Sequence, residues 1–137
     1  MPTYLLDSNA VSEMMRNPYG PVARIYRSKE LDPDARLFIS IISAGEMRYG
    51  AAKKRPSLLS ERVDRMLSSI EIAPLAPSAD AEYAILRADL ERRGQLIGPN
   101  DMLIAAHALA LDAILVTDNV REFKRVKGLK IENWLRP

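Results

Sequence analysis

Short apolar runs alternate with amphipathic stretches along this chain, and the alternation predicts its elements. Tyr4-Leu5-Leu6 is an apolar run that ends at Asp7, with the cap-type residues Ser8 and Asn9 behind it and a helical pattern from Ala10 to Arg16. Asn17-Pro18-Tyr19-Gly20-Pro21 interrupts that helix, and Val22 to Lys29 forms another before the polar turn Asp32-Pro33-Asp34. Leu37 to Ile42 is β-branched and almost continuously apolar, which predicts a strand covered on both faces and ending at Ser43. Ser43 and Glu46 then have the spacing of a capping box and open a helix through about Lys54. Pro56-Ser57 restarts a helix that reaches about Ser69 and carries Leu58, Leu59, Val63, Met66 and Leu67 at helical intervals.

In the second half, Ile70 to Leu75 alternates and stops at proline, the pattern of a short strand. Ser78 caps a long helix from Ala79 to Arg93, which Gly94 closes. In Ile97-Gly98-Pro99-Asn100-Asp101 the proline suits the first helical turn, and the helix that follows, Met102 to Leu111, is apolar almost all round and reads as deeply buried. Ala113 to Thr117 is a further strand ending at Asp118-Asn119. Val120 to Arg125 is a last short helix, and Leu129 to Glu132 an edge strand. Strands alternating with helices imply a parallel sheet with helices on both faces, in one domain over residues 1–137.

Composition narrows the function classes. With 137 residues, 47% hydrophobic and 28% charged, the chain has the make-up of a soluble globular domain able to bury a core without staples. Twenty Lys and Arg stand against 18 Asp and Glu, a net charge of +2, so nucleic-acid binding would have to come from local patches. Zero cysteines exclude a disulfide framework and a thiolate metal site, and fit the cytosol. No apolar run approaches the roughly 20 residues that span a bilayer, and the N-terminal residues lack signal-peptide blocks, so a cytoplasmic protein without membrane contact is expected.

Ligands of open parallel sheets bind outside the carboxyl ends of the strands, and there the pattern places Asp7, Glu46, Asp101 and the pair Asp118-Asn119. Each has an ordinary reading: Asp7 as a helix cap, Glu46 as half of a capping box, Asp101 as a partner of the helix dipole, Asp118 or Asn119 as turn residues. Together, carboxylates at one end of a small sheet repel unless something cationic sits between them. Oxygen ligands without His or Cys point to Mg²⁺ or Mn²⁺, an ion able to activate water and stabilise charge on a phosphodiester. The lone His107 cannot supply a paired general acid and base. It lies roughly 120° round the helix from Asp101, and reads as a structural histidine.

These residues resemble a known family, the PIN-domain ribonucleases, and within them the VapC toxins of toxin-antitoxin pairs. The resemblance covers nearly the whole chain. It is carried by Leu5-Leu6-Asp7-Ser8-Asn9, by Ile42 to Gly50 around Glu46, by Ile97 to Ala108 around Asp101, by Leu115 to Phe123, and by the ending Val126 to Trp134. It implies a three-layer α/β/α fold of PIN type, with a mostly parallel central sheet of four or five strands. It also implies that Asp7, Glu46 and Asp101 take the places of the family's core acids, which hold Mg²⁺ or Mn²⁺ and cut RNA, frequently tRNA. Many PIN domains have Asp two residues after the threonine; here Asn119 stands there and Asp118 one earlier, so either could complete the shell, with Glu122 a further candidate. A homodimer and a cognate VapB-like antitoxin that covers the acids, often with an inserted arginine, follow from the same resemblance.

Arg121, Lys124 and Arg125 are the candidate RNA-backbone contacts, against the alternative of a solvated helix face. Lys53-Lys54-Arg55 and Arg92-Arg93 read equally as cations at helix ends. Met14, Met15, Tyr49, Leu58, Leu59 and Met66 are either core or an apolar groove for a partner helix. Two other classes are weighed against a ribonuclease toxin: a receiver-like Mg²⁺-binding domain, and a PIN scaffold that binds RNA or a partner without cutting. Against the first, Asp7 is followed by Ser8 rather than a second acid, and no lysine follows Thr117; against the second, the core acids are retained.

Overall fold

Residues 2–54 and 57–137 are described by the computed structural model. In chain order they form β1 (Thr3–Leu6), α1 (Ser8–Arg16), α2 (Pro21–Glu30), β2 (Arg36–Ser40), α3 (Ile41–Lys54), α4 (Ser57–Ser68), β3 (Glu71–Ala73), α5 (Ala79–Arg92), α6 (Pro99–Ala110), β4 (Ile114–Val116), α7 (Val120–Phe123) and β5 (Lys130–Glu132). The strands make one sheet in the order β3-β2-β1-β4-β5, and every pairing is parallel. Leu5 is central, in register with Phe38 on one side and Leu115 on the other.

Side chains of successive strand residues point to opposite faces, and β1 sorts the core accordingly. Tyr4 and Leu6 join the cluster built with α1, α2, α3 and α4, while Leu5 joins the cluster built with α5, α6 and α7. The result is the expected three-layer α/β/α arrangement. The chain moves outward from β1 to β2 and β3, then returns to the other side of β1 for β4 and β5. The reversal lies between β1 and β4, and such a switch point leaves a crevice at the carboxyl ends of the strands.

The expected elements form, several with ends shifted by a residue or more: α1 starts at Ser8, β3 is only Glu71–Ala73 and α7 stops at Phe123; one join differs in kind. The strand predicted over Leu37–Ile42 ends at Ser40, and α3 starts at Ile41, so Ser43 lies inside the helix and is not its cap. The cause is local: Ser40 Oγ accepts the Ile42 N–H at 3.2 Å, one of the first-turn donors that no helical carbonyl can reach. Ser78 stands at the cap of α5 without a side-chain cap bond, and Gly94 leaves that helix at φ +64°. Pro99 occupies the first turn of α6, whose Met102, Ile104, Ala105, Ala106, His107 and Ala108 are all buried. The predicted helix start at Pro56 lies outside the described residues, as does Arg55. Among the described residues no helix is long and apolar enough to cross a membrane.

Leu5 is fully buried at the centre of the sheet, whereas Tyr19 is 83% exposed. Leu5→Ala is therefore expected to lower unfolding free energy in urea by about 2–5 kcal/mol, and Tyr19→Ala by no more than about 0.5 kcal/mol.

Candidate active site

Asp7 is the first residue beyond β1 and the cap of α1, so its ordinary role and its place at the sheet's carboxyl edge coexist. Its carboxylate is 4% exposed. Oδ1 accepts the Ser8 N–H at 2.8 Å and the Ser43 hydroxyl at 3.2 Å; Oδ2 accepts the Thr117 hydroxyl at 2.9 Å and the Asn9 amide at 3.2 Å. Burial outweighs these hydrogen bonds and pushes the Asp7 carboxyl above its ordinary value. Asn9 also donates to Thr117 Oγ1 at 3.2 Å and accepts the Asp118 N–H at 3.0 Å, which ties the β1–α1 join to the β4–α7 join.

Glu46 lies on α3 one turn beyond Ser43, and Ser8 Oγ donates to its Oε1 at 3.4 Å. Its carboxyl is raised by burial and then by the charge of Asp7, against hydrogen bonds from Asn100 and Ser8. Asp101, in the first turn of α6, is pushed up to about 6, first by burial and then by Asp7, Glu46 and Glu122. Asn119 donates to Asp101 Oδ2 and to Glu122 Oε2, both at 3.3 Å. The structure thus brings Asp7, Glu46, Asp101, Asn119 and Glu122 into one electrostatic group.

Asp118 is not in that group. Its Oδ1 accepts Asn133 Nδ2 and Arg136 Nε, each at 3.0 Å, and these bonds hold its carboxyl below the ordinary value. The reason is the turn: Asn119 N–H donates to Thr117 Oγ1 at 3.0 Å, and the turn so closed sends residue 119 inward and residue 118 outward. His107 is also apart, buried between Ser40 and Pro74 as a structural histidine would be.

Among the candidate RNA contacts, Arg121 and Lys124 are exposed. Arg125 is engaged in structure: its Nη1 donates to Leu96 O at 3.2 Å, and its own carbonyl accepts from Arg93. Arg92, Arg93 and Lys127 gather round Asp89, with Arg93 at 2.7 Å. Ser8, Asn9, Ser43 and Thr117 were read from sequence only as caps or strand ends. Their signal was small polar residues beside the joins, but which of them would face Asp7 depends on tertiary packing.

Size does not locate the chemistry. A hollow of about 410 Å³ lined by Leu75, Pro77, Tyr83 and Leu103 is apolar, while Glu46 and Asn100 border a groove of about 330 Å³ shared with Ile41, Ile42, Gly45 and Tyr49. Among the described residues none of Asp7, Glu46, Asp101 or Glu122 is matched by an ion pair. Nor do three of these side chains stand together tightly enough to ligate one ion as they are oriented. Their coupling is through the field. That donor set, oxygen-only, negative and lacking an internal cation, fits a hard divalent ion held by few carboxylates and by water.

The PIN-domain family model matches residues 4–129. The chain is 38% identical over 134 residues to ribonuclease VapC2 of Rickettsia felis, covering 96% of this chain and 97% of that one. It is 38% identical over 104 residues to the tRNA(fMet)-specific endonuclease VapC of Salmonella typhimurium, covering 73% and 76%. The fold matches a crystal structure of DNA-bound VapBC from Salmonella typhimurium with a TM-score of 0.86 at 32% identity, covering 98% of this chain and 99% of that one. With its acids at the switch point of this sheet, the chain belongs to the PIN-domain family and, within it, to the VapC ribonucleases.

Proposed function

We propose that this chain is a divalent-metal-dependent endoribonuclease, acting in the cytoplasm as the toxin of a toxin-antitoxin pair. The observation that carries the reading is the uncompensated acidic group: Asp101 pushed up to about 6 by burial and by Asp7, Glu46 and Glu122. A site that costs so much to ionise, and that pairs with no cation among the described residues, suits a cation that arrives with its task. The relatives named as ribonucleases, one of them tRNA(fMet)-specific, support RNA as substrate and tRNA as its class.

In this reading Asp7, Asp101 and Glu46 would turn toward and hold Mg²⁺ or Mn²⁺, with Asn119 and Glu122 completing the shell directly or through water. The bound ion supplies Lewis-acid stabilisation of the phosphodiester and an acidified water. The chain's own residues do the rest. Ser43, Thr117, Asn9 and the Ser8 amide fix both oxygens of Asp7. Glu46 would orient the water, and Asn119 bridges Asp101 and Glu122 by donating to both. Arg121 and Lys124 are available to backbone phosphates. Attack by water leaves a 5′-phosphate and a 3′-hydroxyl. The same carboxylates would satisfy a guanidinium, which is how an antitoxin's arginine would silence the site; the protein is also expected to form a homodimer.

Asp7→Asn and Asp101→Asn are each expected to lower cleavage of tRNA by at least about a hundredfold in Mg²⁺, with EDTA abolishing the wild-type reaction. Full activity in either variant, or indifference to EDTA, overturns the reading. Asn119→Ala is expected to lose roughly tenfold in kcat while Asp118→Asn stays within about twofold of wild type, a comparison of steady-state rates that decides the fourth position.

A third expectation concerns pH. Asp101 has a folded pKa above its unfolded value, so its ionised form costs stability. That cost is fully present above about pH 6 and disappears as the pH falls through about 6 toward 3.8. Asp101 therefore adds stability to the metal-free protein as the pH is lowered through that window, and differential scanning fluorimetry should show Mg²⁺ raising Tm near pH 8 but hardly at about pH 5. A Mg²⁺ effect on Tm that does not depend on pH would count against Asp101 as a ligand.

A further inference from the structure

His107 is 1% exposed and has no part in the chemistry above, yet both of its ring nitrogens are committed. Nε2 lies 3.0 Å from the Pro74 carbonyl oxygen and Nδ1 lies 2.9 Å from Ser40 Oγ. Ser40 Oγ in turn accepts the Ile42 N–H at 3.2 Å. A carbonyl oxygen has no proton to give, so Nε2 carries the ring hydrogen and Nδ1 is bare. The Ser40 hydroxyl must then donate to Nδ1, and its lone pairs are left for Ile42. The polarity of the whole relay is fixed: Ile42 N–H to Ser40, Ser40 O–H to His107, His107 N–H to Pro74. Burial pushes the imidazole below its ordinary value, which keeps the neutral ring that this polarity requires.

We infer that His107 is a positioning residue for the acidic site, setting through Ser40 the start and rotation of α3 and so the place of Glu46 relative to Asp101. The inference rests on the ribonuclease reading above. His107 and Asp101 share α6, so the relay refers α3 to the same rigid helix that carries the second acid. At its far end it grips a first-turn N–H of α3, the group that decides where that helix begins. Downstream on α3, Ser43 reaches Asp7 and Glu46 reaches Ser8. A rotation of α3 by about 10° about its axis would carry a side-chain tip about 1 Å. A misplacement of that size can cost on the order of a hundredfold in rate. An aliphatic residue could fill the space of the ring, but it would leave the buried Ser40 hydroxyl without an acceptor.

Three variants of the full chain test this. Ser40→Ala removes the central hydroxyl. His107→Asn places an amide oxygen near the position of Nδ1 and can still accept from Ser40, whereas His107→Gln reaches toward Pro74 and abandons Ser40. The measurements are kcat and KM on tRNA in Mn²⁺, Mn²⁺ affinity by calorimetry without RNA, and Tm. Ser40→Ala and His107→Gln are expected to lower kcat and Mn²⁺ affinity by about tenfold with KM for RNA within about twofold, and His107→Asn to recover to within about threefold of wild type whatever its Tm. Wild-type kcat and Mn²⁺ affinity in all three, or losses that follow Tm alike in all three, overturn the inference. Should the His107 variants not fold, Ser40→Ala, which lacks a single oxygen, decides alone, and wild-type values in it are fatal. Failure of the underlying reading looks different, because the wild-type chain itself would then neither bind Mn²⁺ nor cut RNA.

Discussion

A carboxylate shut away from water at the edge of a sheet is the constraint from which the rest of this structure follows. Asp7 is almost fully buried, and removing an ionised carboxyl from water costs several kcal/mol unless donors replace the lost solvent. The donors come from separate parts of the chain: the β1–α1 join gives the Ser8 amide and Asn9, α3 gives Ser43, and the end of β4 gives Thr117. The Ser8 amide and Asn9 are neighbours of Asp7 in the chain, but the Ser43 and Thr117 hydroxyls reach it only once the sheet and its first helical layer are assembled. Folding therefore completes the donor set. Even so the balance stays against ionisation, because burial raises the Asp7 carboxyl more than its hydrogen bonds lower it. In the proposed function, that residual cost is what an arriving cation would relieve.

Much of this was readable in the residues. The alternation of apolar runs with amphipathic helices gave a parallel α/β sheet because a strand and a helix have different periods, and Gly98-Pro99 marked the start of α6 because proline has one good place in a helix. The acids could be put at the carboxyl edge because each follows a predicted strand or opens a predicted helix. What failed was finer. Ile41 and Ile42 look like strand, and β-branching is a true preference, but one hydroxyl at Ser40 captures the Ile42 N–H and the helix begins two residues early. The sequence left Asp118 and Asn119 as alternatives for a similar reason, since a turn closed on Thr117 Oγ1 decides which neighbour faces in. Each of these details turns on a single side-chain hydrogen bond, and no period in the sequence encodes such a bond.

The helix that opens at Pro99 shows how stability and chemistry share an element. Its apolar residues are buried nearly all round, which is unusual for a helix carrying an acid, and that burial holds Asp101 in place far more firmly than a loop could. The loop before it is fastened as well: Arg125 grips the Leu96 carbonyl and Arg93 grips the carbonyl of Arg125. Arg125, a candidate RNA contact, thus also fastens this loop, and Asp89 on α5 collects Arg92, Arg93 and Lys127.

This division of charge has a consequence for control. A nuclease with an arginine already packed among its acids would be stable and inert. Among the described residues, no basic side chain pairs with Asp7, Glu46, Asp101 or Glu122, and these acids are left to each other. In the proposed function the unfilled negative field would be the common target of a divalent ion and of any guanidinium a partner can present. Two cations competing for one set of carboxylates cannot both be accommodated at full strength, because each gains by neutralising the same repulsion. Under the proposed function, activation by metal and inhibition by a partner draw on the same free energy, so a change that deepens the repulsion should strengthen both, and one that relieves it should weaken both together.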